Sequence, residues 1–217
     1  MTERAFTPAA GRFTPMQFYD SGVAILTREA VWRRQLLQLL RPRDGDTILD
    51  VGCGTGSLAL LIKRAAPGAH VVGLDPDPEA LSIARRKADA AGIEIEWRQG
   101  FARDAADCGA FDKVVSSLVF HQVPVEEKKA GMEAMFAAAK AGGTICIADY
   151  ASQAVWPMRQ LFRVIQVLDG RTNTEPNANG FLEREMSKLC GQVVEARTKI
   201  NTPTGTISIF LEKKIAE

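Results

Sequence analysis

The feature that most constrains this chain is a glycine-rich turn between an apolar, strand-like run and a helix-like segment. The run Ile48-Leu49-Asp50-Val51 leads into Gly52-Cys53-Gly54-Thr55-Gly56, and an apolar segment begins at Ser57. Glycine lets the backbone adopt a positive φ and approach a ligand closely. A helix that begins directly after the turn presents unpaired N–H groups at its first turn. The stretch therefore predicts a cofactor-binding loop at the end of a strand.

The sequence on both sides of this turn alternates between strand-like and helix-like segments. Asp77-Pro78-Glu79 is a typical helix start and Gly92 a typical helix end. Strands are predicted at Thr47–Val51, His70–Leu74, Ile93–Trp97, Lys113–Leu118 and Thr144–Ala148, and helices at 22–40, Ser57–Ala66, 78–91 and Glu126–Lys140. Repeated strand–helix units favour a largely parallel sheet with helices on both faces.

The end of the chain follows a different pattern. Gln192–Ile200 and Thr206–Glu212 are strand-like, and the short turn between them makes them antiparallel neighbours. The prediction is an α/β fold with a doubly wound, mostly parallel seven-stranded sheet and an antiparallel C-terminal hairpin. We expect a single domain over 1–217, in which 1–40 form an N-terminal arm and helix.

Residues 150–190 interrupt the alternation and are predicted to be a helical lid over a substrate. Trp156–Asp169 and Phe181–Cys190 look helical, whereas Arg171–Gly180 is polar and loop-like. Long connections after parallel strands lie at the carboxyl edge of the sheet, where ligands bind. A structural helix pair without contact to a ligand explains the same pattern. Its apolar residues mixed with arginines suit a lipid-like or aromatic acidic ligand, or a core helix with solvated arginines.

The glycine turn with an acid ahead of it resembles the cofactor loop of class I S-adenosylmethionine (SAM) methyltransferases. The likeness covers about residues 45–150 and is greatest for small-molecule enzymes such as the quinone-biosynthesis C-methyltransferases. It implies the class I methyltransferase fold and S-adenosyl-L-methionine as cofactor. In the family, the loop surrounds the methionine part of SAM and the acid lies near its amino group. The positions that correspond here are Asp50, Gly52, Cys53, Gly54 and Gly56.

A second motif, Gly73-Leu74-Asp75-Pro76-Asp77, ends the second predicted strand. A carboxylate at this place can accept hydrogen bonds from both hydroxyl groups of a ribose. We therefore expect Asp75 and Pro76 to contact the cofactor. A helix-capping role is the alternative for such an acid, and it suits Asp77 better because Pro78 follows.

The remaining cofactor contacts are expected from the resemblance. Many relatives have an Asp at the position of Phe101, which receives the adenine amino group. Here Phe101 either packs on the adenine face, beside Ala102, or belongs to the core. Ser117 and Leu118, at the end of a strand, are expected to contact SAM, as is Tyr19, in an arm that folds over SAM in relatives.

His121 is the candidate catalytic residue, since it follows the strand that faces cofactor and acceptor. Methyl transfer is an in-line displacement that depends on alignment, and some acceptors also lose a proton to a base. A residue that only holds the loop is the alternative for His121. Asp149 and Tyr150 are further candidates for lining the pocket. The signature Asn/Asp-Pro-Pro-Tyr is absent, which disfavours the amino-group enzymes of DNA, RNA and protein.

Charge and composition indicate which classes of binding partner to expect. The net charge is +1, so no general attraction to nucleic acid is expected. The four cysteines lack Cys-x-x-Cys spacing, which predicts no metal site and suits reduced thiols in the cytoplasm. No signal peptide and no run of about 20 apolar residues is seen, so no membrane insertion is expected. A small-molecule acceptor is the expected partner, and homo-oligomerisation is left open.

Two other functions remain open at the level of sequence. Intact binding motifs are equally compatible with a SAM-binding protein that does not catalyse. A nicotinamide-dependent oxidoreductase is disfavoured, because its fingerprint needs Gly or Ala where this chain has Ser57.

Overall fold

The computed structural model describes residues 28–215, which contain one mixed sheet. The strands are β1 Thr47–Val51, β2 His70–Asp75, β3 Glu96–Gln99, β4 Phe111–Ser117, β5 Ala139–Tyr150, β6 Thr198–Thr202 and β7 Gly205–Lys213. Their order is β3-β2-β1-β4-β5-β7-β6, and β7 runs antiparallel to both of its neighbours. The other pairs are parallel. The predicted seven-stranded sheet with a C-terminal hairpin is confirmed. Tyr19 and the predicted arm lie outside the described residues.

Helices cover both faces of the sheet. They are α1 Glu29–Leu40, α2 Ser57–Ala65, α3 Pro78–Ala90, α4 Val125–Ala138, α5 Trp156–Leu161, α6 Arg163–Asp169, α7 Arg171–Ala178 and α8 Phe181–Cys190, with a 3-10 helix at Ala102–Cys108. On one face, Leu36 of α1 and Leu58 of α2 pack in a core that includes Val115 of β4. On the other face, Met132 of α4 and Leu182 of α8 pack in a second core. Burial of these two apolar layers holds the strand ends in fixed positions.

The start and end of α3 follow from its sequence. The Asp77 side chain accepts a hydrogen bond from the Glu79 N–H at 2.8 Å, and Pro78 occupies the first helical position. At the other end Gly92 has φ +62°, and the Ile93 N–H bonds back to Ala88 O at 2.9 Å. Ile93 therefore belongs to the helix cap, and the predicted strand Ile93–Trp97 begins three residues too early.

Two other predicted boundaries are wrong because pairing with another strand determines where the element ends or begins. The helix predicted to reach Lys140 ends at Ala138, because Ala139 is extended and pairs with Phe111 of β4. The predicted strand Gln192–Ile200 begins only at Thr198, where pairing with Ile209 of β7 starts.

The segment 171–180, predicted to be a loop, contains helix α7 in spite of Pro176. Its buried Asn177 anchors it to distant parts of the chain: Nδ2 donates to Tyr150 O at 2.8 Å, and Oδ1 accepts a hydrogen bond from the Lys128 ammonium at 2.8 Å. Tertiary contacts thus outweigh a low helix propensity. No helix within residues 28–215 has the length and apolar character needed to cross a membrane.

Candidate active site

The glycine turn lies where the carboxyl ends of β1 and β2 meet. The Gly52 N–H donates to Leu74 O at 2.7 Å, and the Gly54 N–H donates to Asp75 Oδ2 at 2.8 Å. Gly54 has φ +52°, and a Cβ placed on it would meet no heavy atom within 4 Å. The turn is therefore fixed to β2, while the backbone of Gly54 borders open space that a side chain would fill.

The other two glycines of the turn are required by packing. A Cβ on Gly52 would lie 2.2 Å from Cγ2 of Val119, and one on Gly56 would lie 2.5 Å from the Trp97 ring. Cys53 between them is buried, and burial raises the pKa of its thiol. Of the three glycines, Gly54 is thus the one whose surroundings best fit a ligand.

Asp50 is a fully buried carboxylate at the end of β1. Its oxygens make no hydrogen bond of normal geometry among the described residues, although the Ala59 N–H lies close enough to oppose the rise in its pKa. Burial raises the pKa of Asp50 to about 7, although the positive charge of Arg33 opposes the shift. A buried carboxylate without a well-formed hydrogen bond costs free energy, and a cationic ligand group would recover part of it. The residue therefore fits an ammonium group such as the amino group of an amino acid.

Asp75 lies at the end of β2 and is also buried. Its Oδ2 accepts the Gly54 N–H, and its Oδ1 accepts the Asp77 N–H at 2.9 Å. Each oxygen keeps a second lone pair, so the carboxylate can still accept hydrogen bonds from a diol. Burial raises the pKa of Asp75, and the two backbone donors oppose the shift. Pro76 is half-buried beside it, and its carbonyl accepts the Gln99 side chain at 3.3 Å.

Phe101 is half-buried at the carboxyl end of β3. Its backbone N–H donates to Asp104 Oδ2 at 2.8 Å, which fixes the loop before the 3-10 helix. The guanidinium carbon of Arg103 lies 4.2 Å from the centre of the Phe101 ring, so a cation covers part of the ring. Ala102, also half-buried, follows it. The departure from the Asp seen in relatives is thus accompanied by a local cation–aromatic pair.

The exit of β4 has an unusual backbone. Leu118 has φ +57°, a left-handed conformation that is uncommon for a residue with a side chain and is often found at functional sites. Its N–H donates to Ala148 O at 2.9 Å. Ser117 and Leu118 are both half-buried, and the turn leads directly to His121.

His121 is buried, and acids bind both of its ring nitrogens. Nδ1 lies 2.6 Å from Asp149 Oδ1, and Nε2 lies 3.3 Å from Asp169 Oδ2 at the end of α6. The Tyr150 ring meets the imidazole edge to face, with 5.2 Å between centroids. Burial alone would lower the pKa of His121, but the two carboxylates outweigh it and raise the pKa to about 9. At neutral pH His121 is therefore an imidazolium held between two acids.

Lys128 of α4 ties the insertion to the same loop. It is fully buried, and its ammonium donates to Phe120 O, to Asn173 O at 2.8 Å and to Asn177 Oδ1 at 2.8 Å. Burial lowers the pKa of Lys128 to about 8, although Asp149 opposes the shift. Sequence reasoning missed Lys128 and Asp169. Neither stands in a motif, so only the three-dimensional contacts reveal them.

Residues 48–143 match a protein family described as "Methyltransferase domain". This segment contains the glycine turn, Asp75 and the exit of β4. The described residues have the class I methyltransferase fold, and the segment 48–143, somewhat less than half of the chain, is similar to that methyltransferase domain. The cofactor of this family is SAM, and the sheet order is that of the class I fold.

Relatives of the methyltransferase domain differ in what their names say they modify. A demethylmenaquinone methyltransferase of Thermus thermophilus is 38% identical over 121 residues, which cover 55% of this chain and 54% of that protein. A release factor glutamine methyltransferase of Deinococcus radiodurans is 38% identical over 99 residues, covering 45% of this chain and 35% of that protein. The chain thus spans about half or less of the length of these curated relatives.

A solved structure with the same fold contains the demethylated cofactor. It is a magnesium protoporphyrin IX methyltransferase from Synechocystis with bound SAH, the product of SAM. The TM-score is 0.61 at 21% identity, and the match covers 92% of this chain and 83% of that chain. This likeness shows that the described residues share their fold with that enzyme.

Proposed function

We propose that this protein transfers a methyl group from SAM to a small organic acceptor. Two observations support the proposal. The buried carboxylate of Asp50 makes no hydrogen bond of normal geometry among the described residues, and Gly54, four residues later in the glycine turn, has open space beside its backbone. An ammonium group and a short backbone approach are what the methionine part of SAM brings to such a loop.

The proposed cofactor contacts follow the strand ends. Asp50 accepts the amino group, Gly54 borders the methionine chain, and Asp75 accepts the ribose hydroxyls. Further contacts are proposed for Gly52, Cys53, Gly56, Pro76, Phe101, Ala102, Ser117, Leu118 and Tyr19. Of these, Gly52 and Gly56 also shape the turn through their packing against Val119 and Trp97.

A small acceptor is favoured by the β4 exit, Val119-Phe120-His121-Gln122, which lacks the Asn/Asp-Pro-Pro-Tyr signature. The demethylmenaquinone methyltransferase relative supports the same class. The glutamine methyltransferase relative makes a protein acceptor the competing outcome of the experiment below.

Bound SAM supplies an electrophilic methyl group, so the protein has to orient the acceptor and, for some acceptors, take up a proton. We propose His121 as the residue that faces the acceptor. It can act as a base only after the Nε2 proton of the imidazolium passes to solvent water and the freed Nε2 lone pair faces an acceptor O–H instead of Asp169. Asp149 on Nδ1 would keep the ring oriented, as the acid does in a catalytic triad.

The test uses SAM labelled in its methyl group with a cell extract separated into small-molecule and protein fractions. The wild type should transfer label into the small-molecule fraction, and Gly54→Arg should not. Label found in the protein fraction alone would replace the small acceptor by a protein. SAM binding without transfer into either fraction would support a binding protein without catalysis.

A further inference from the structure

The outer face of helices α5 and α6 is apolar, contrary to the usual arrangement of a surface helix. Only Phe162 separates the two helices, and its N–H donates to Met158 O while its carbonyl accepts the Gln166 N–H, so the helices follow each other with almost no break. Phe162 and Ile165 point into the core. The exposed positions recur at helical spacing on the opposite side. This outer stripe consists of Trp156, Pro157, Leu161, Arg163, Val164, Val167 and Leu168.

Large side chains dominate the outer stripe. Trp156 is 73% exposed, Val167 is 83% exposed and Leu168 is 66% exposed. Single exposed apolar residues are ordinary, but a row of them along one helical face marks an interaction surface. The sequence left open whether these residues form a core helix, and the structure shows that most of them lie outside.

The charge of this segment is positive although the chain as a whole is nearly neutral. Residues 155–171 contain Arg159, Arg163, Arg171 and a single acid, Asp169, which pairs with His121. Arg159 and Arg171 both pair with Glu175, the latter at 3.4 Å, but the Arg171 side chain remains 79% exposed at the end of the stripe and Arg163 lies on it. Apolar residues with a tryptophan and flanking arginines are complementary to an anionic phospholipid surface.

We propose that the outer stripe docks the protein on the surface of an anionic lipid bilayer. The side chains enter the headgroup region without crossing the membrane, and Arg163 and Arg171 meet the lipid phosphates. Asp169, on the inner side of α6, bonds to His121, so the docked helix is directly connected to the proposed acceptor site. An amphiphilic acceptor held in the bilayer would then lie next to that site. This last step rests on the proposed function, and docking itself does not.

The test is co-sedimentation of the full chain with phosphatidylcholine vesicles containing about one third phosphatidylglycerol, without SAM. Val167→Ser with Leu168→Ser should weaken binding at least about 10-fold. Arg163→Gln with Arg171→Gln should weaken it roughly 30-fold, since each basic residue contributes about fivefold. Val193→Ser is the matched control, because Val193 is 85% exposed but lies after α8, and it should bind like the wild type.

Tryptophan fluorescence gives a second reading. Of the three tryptophans, Trp32 is fully buried and Trp97 packs against the core, so a blue shift on anionic vesicles should come from Trp156 and vanish in Trp156→Phe. No binding, or equal binding to neutral vesicles, would overturn the proposal. So would a dimer in solution that Val167→Ser with Leu168→Ser dissociates, since a second copy would then cover the stripe. SAM calorimetry on the same samples keeps this outcome separate from that of the proposed function.

Discussion

The two halves of the sheet's carboxyl edge differ in whether their buried polar groups have hydrogen-bond partners. At the ends of β1 and β2, neither Asp50 oxygen makes a hydrogen bond of normal geometry among residues 28–215. At the exits of β4 and β5, His121 has an acid on each ring nitrogen and Lys128 has three acceptors. The first half is therefore complementary to a cationic ligand. In the second half, the charged groups are already paired with one another. A methyl acceptor that reaches His121 Nε2 therefore has to replace its contact with Asp169.

Gly54→Arg should break the cofactor half most severely. The side chain would occupy the open space beside the turn, and we expect SAM affinity in calorimetry to fall at least about 100-fold. Gly92→Arg is the matched control, because Gly92 has φ +62° and equally open surroundings. Both variants should lose about 1 kcal/mol of folding free energy through the left-handed backbone. Equal SAM affinities of the two variants would exclude Gly54 from the cofactor site.

The ion pairs of His121 should make the stability of the protein depend on pH. The pKa of His121 in the folded protein is about 9, above its ordinary value of 6.5. Its contribution to the free energy of unfolding is therefore complete below about pH 6.5. It is lost as the pH rises through 9, and amounts to roughly 3 kcal/mol. Urea unfolding should show this loss in the wild type and in His70→Gln, the control at an exposed histidine. An identical profile in His121→Gln would contradict the assignment.

Much of this comparison could be predicted from sequence on the cofactor side. The turn at Gly54 and the acid at Asp75 are short-range features of a strand–turn–helix unit, and the parallel order of strands brings them together. The acceptor side could not be predicted in the same way. Asp169 lies 48 residues after His121 in the sequence, and Asn177 lies 49 residues after Lys128. No local sequence pattern indicates that the members of either pair are in contact. The helix α7 was missed because its stability comes from these same buried contacts.

Asp75→Ala and Asp77→Ala should separate ligand binding from helix capping. Asp75→Ala should weaken SAM binding about 30-fold, since two ribose hydroxyls lose a charged acceptor. Asp77→Ala removes the cap of α3 and should cost about 1 kcal/mol of stability with SAM affinity unchanged. Calorimetry and thermal unfolding of both variants measure the two quantities. A weaker SAM affinity in Asp77→Ala than in Asp75→Ala would reverse the assigned roles.

Asp50→Asn is expected to increase stability. Since burial raises the pKa of Asp50 to about 7, ionising it in the folded protein is unfavourable, and wild-type stability should increase as the pH falls from about 7 to about 4. Asp50→Asn removes that charge, and at pH 8 it should raise the free energy of unfolding by about 2 kcal/mol, after the cost of burying an amide. Urea unfolding at pH 8 measures it. A clear loss of stability would mean that the carboxylate already has a strong partner.

The most direct test of the central claim is proton release when SAH binds at pH 7, measured by calorimetry in two buffers of different ionisation enthalpy. If Asp50 receives the ligand's ammonium group, its pKa falls on binding, and the wild type should release about half a proton more than Asp50→Asn. Equal proton release by the two proteins, or no SAH binding by the wild type, would contradict the account.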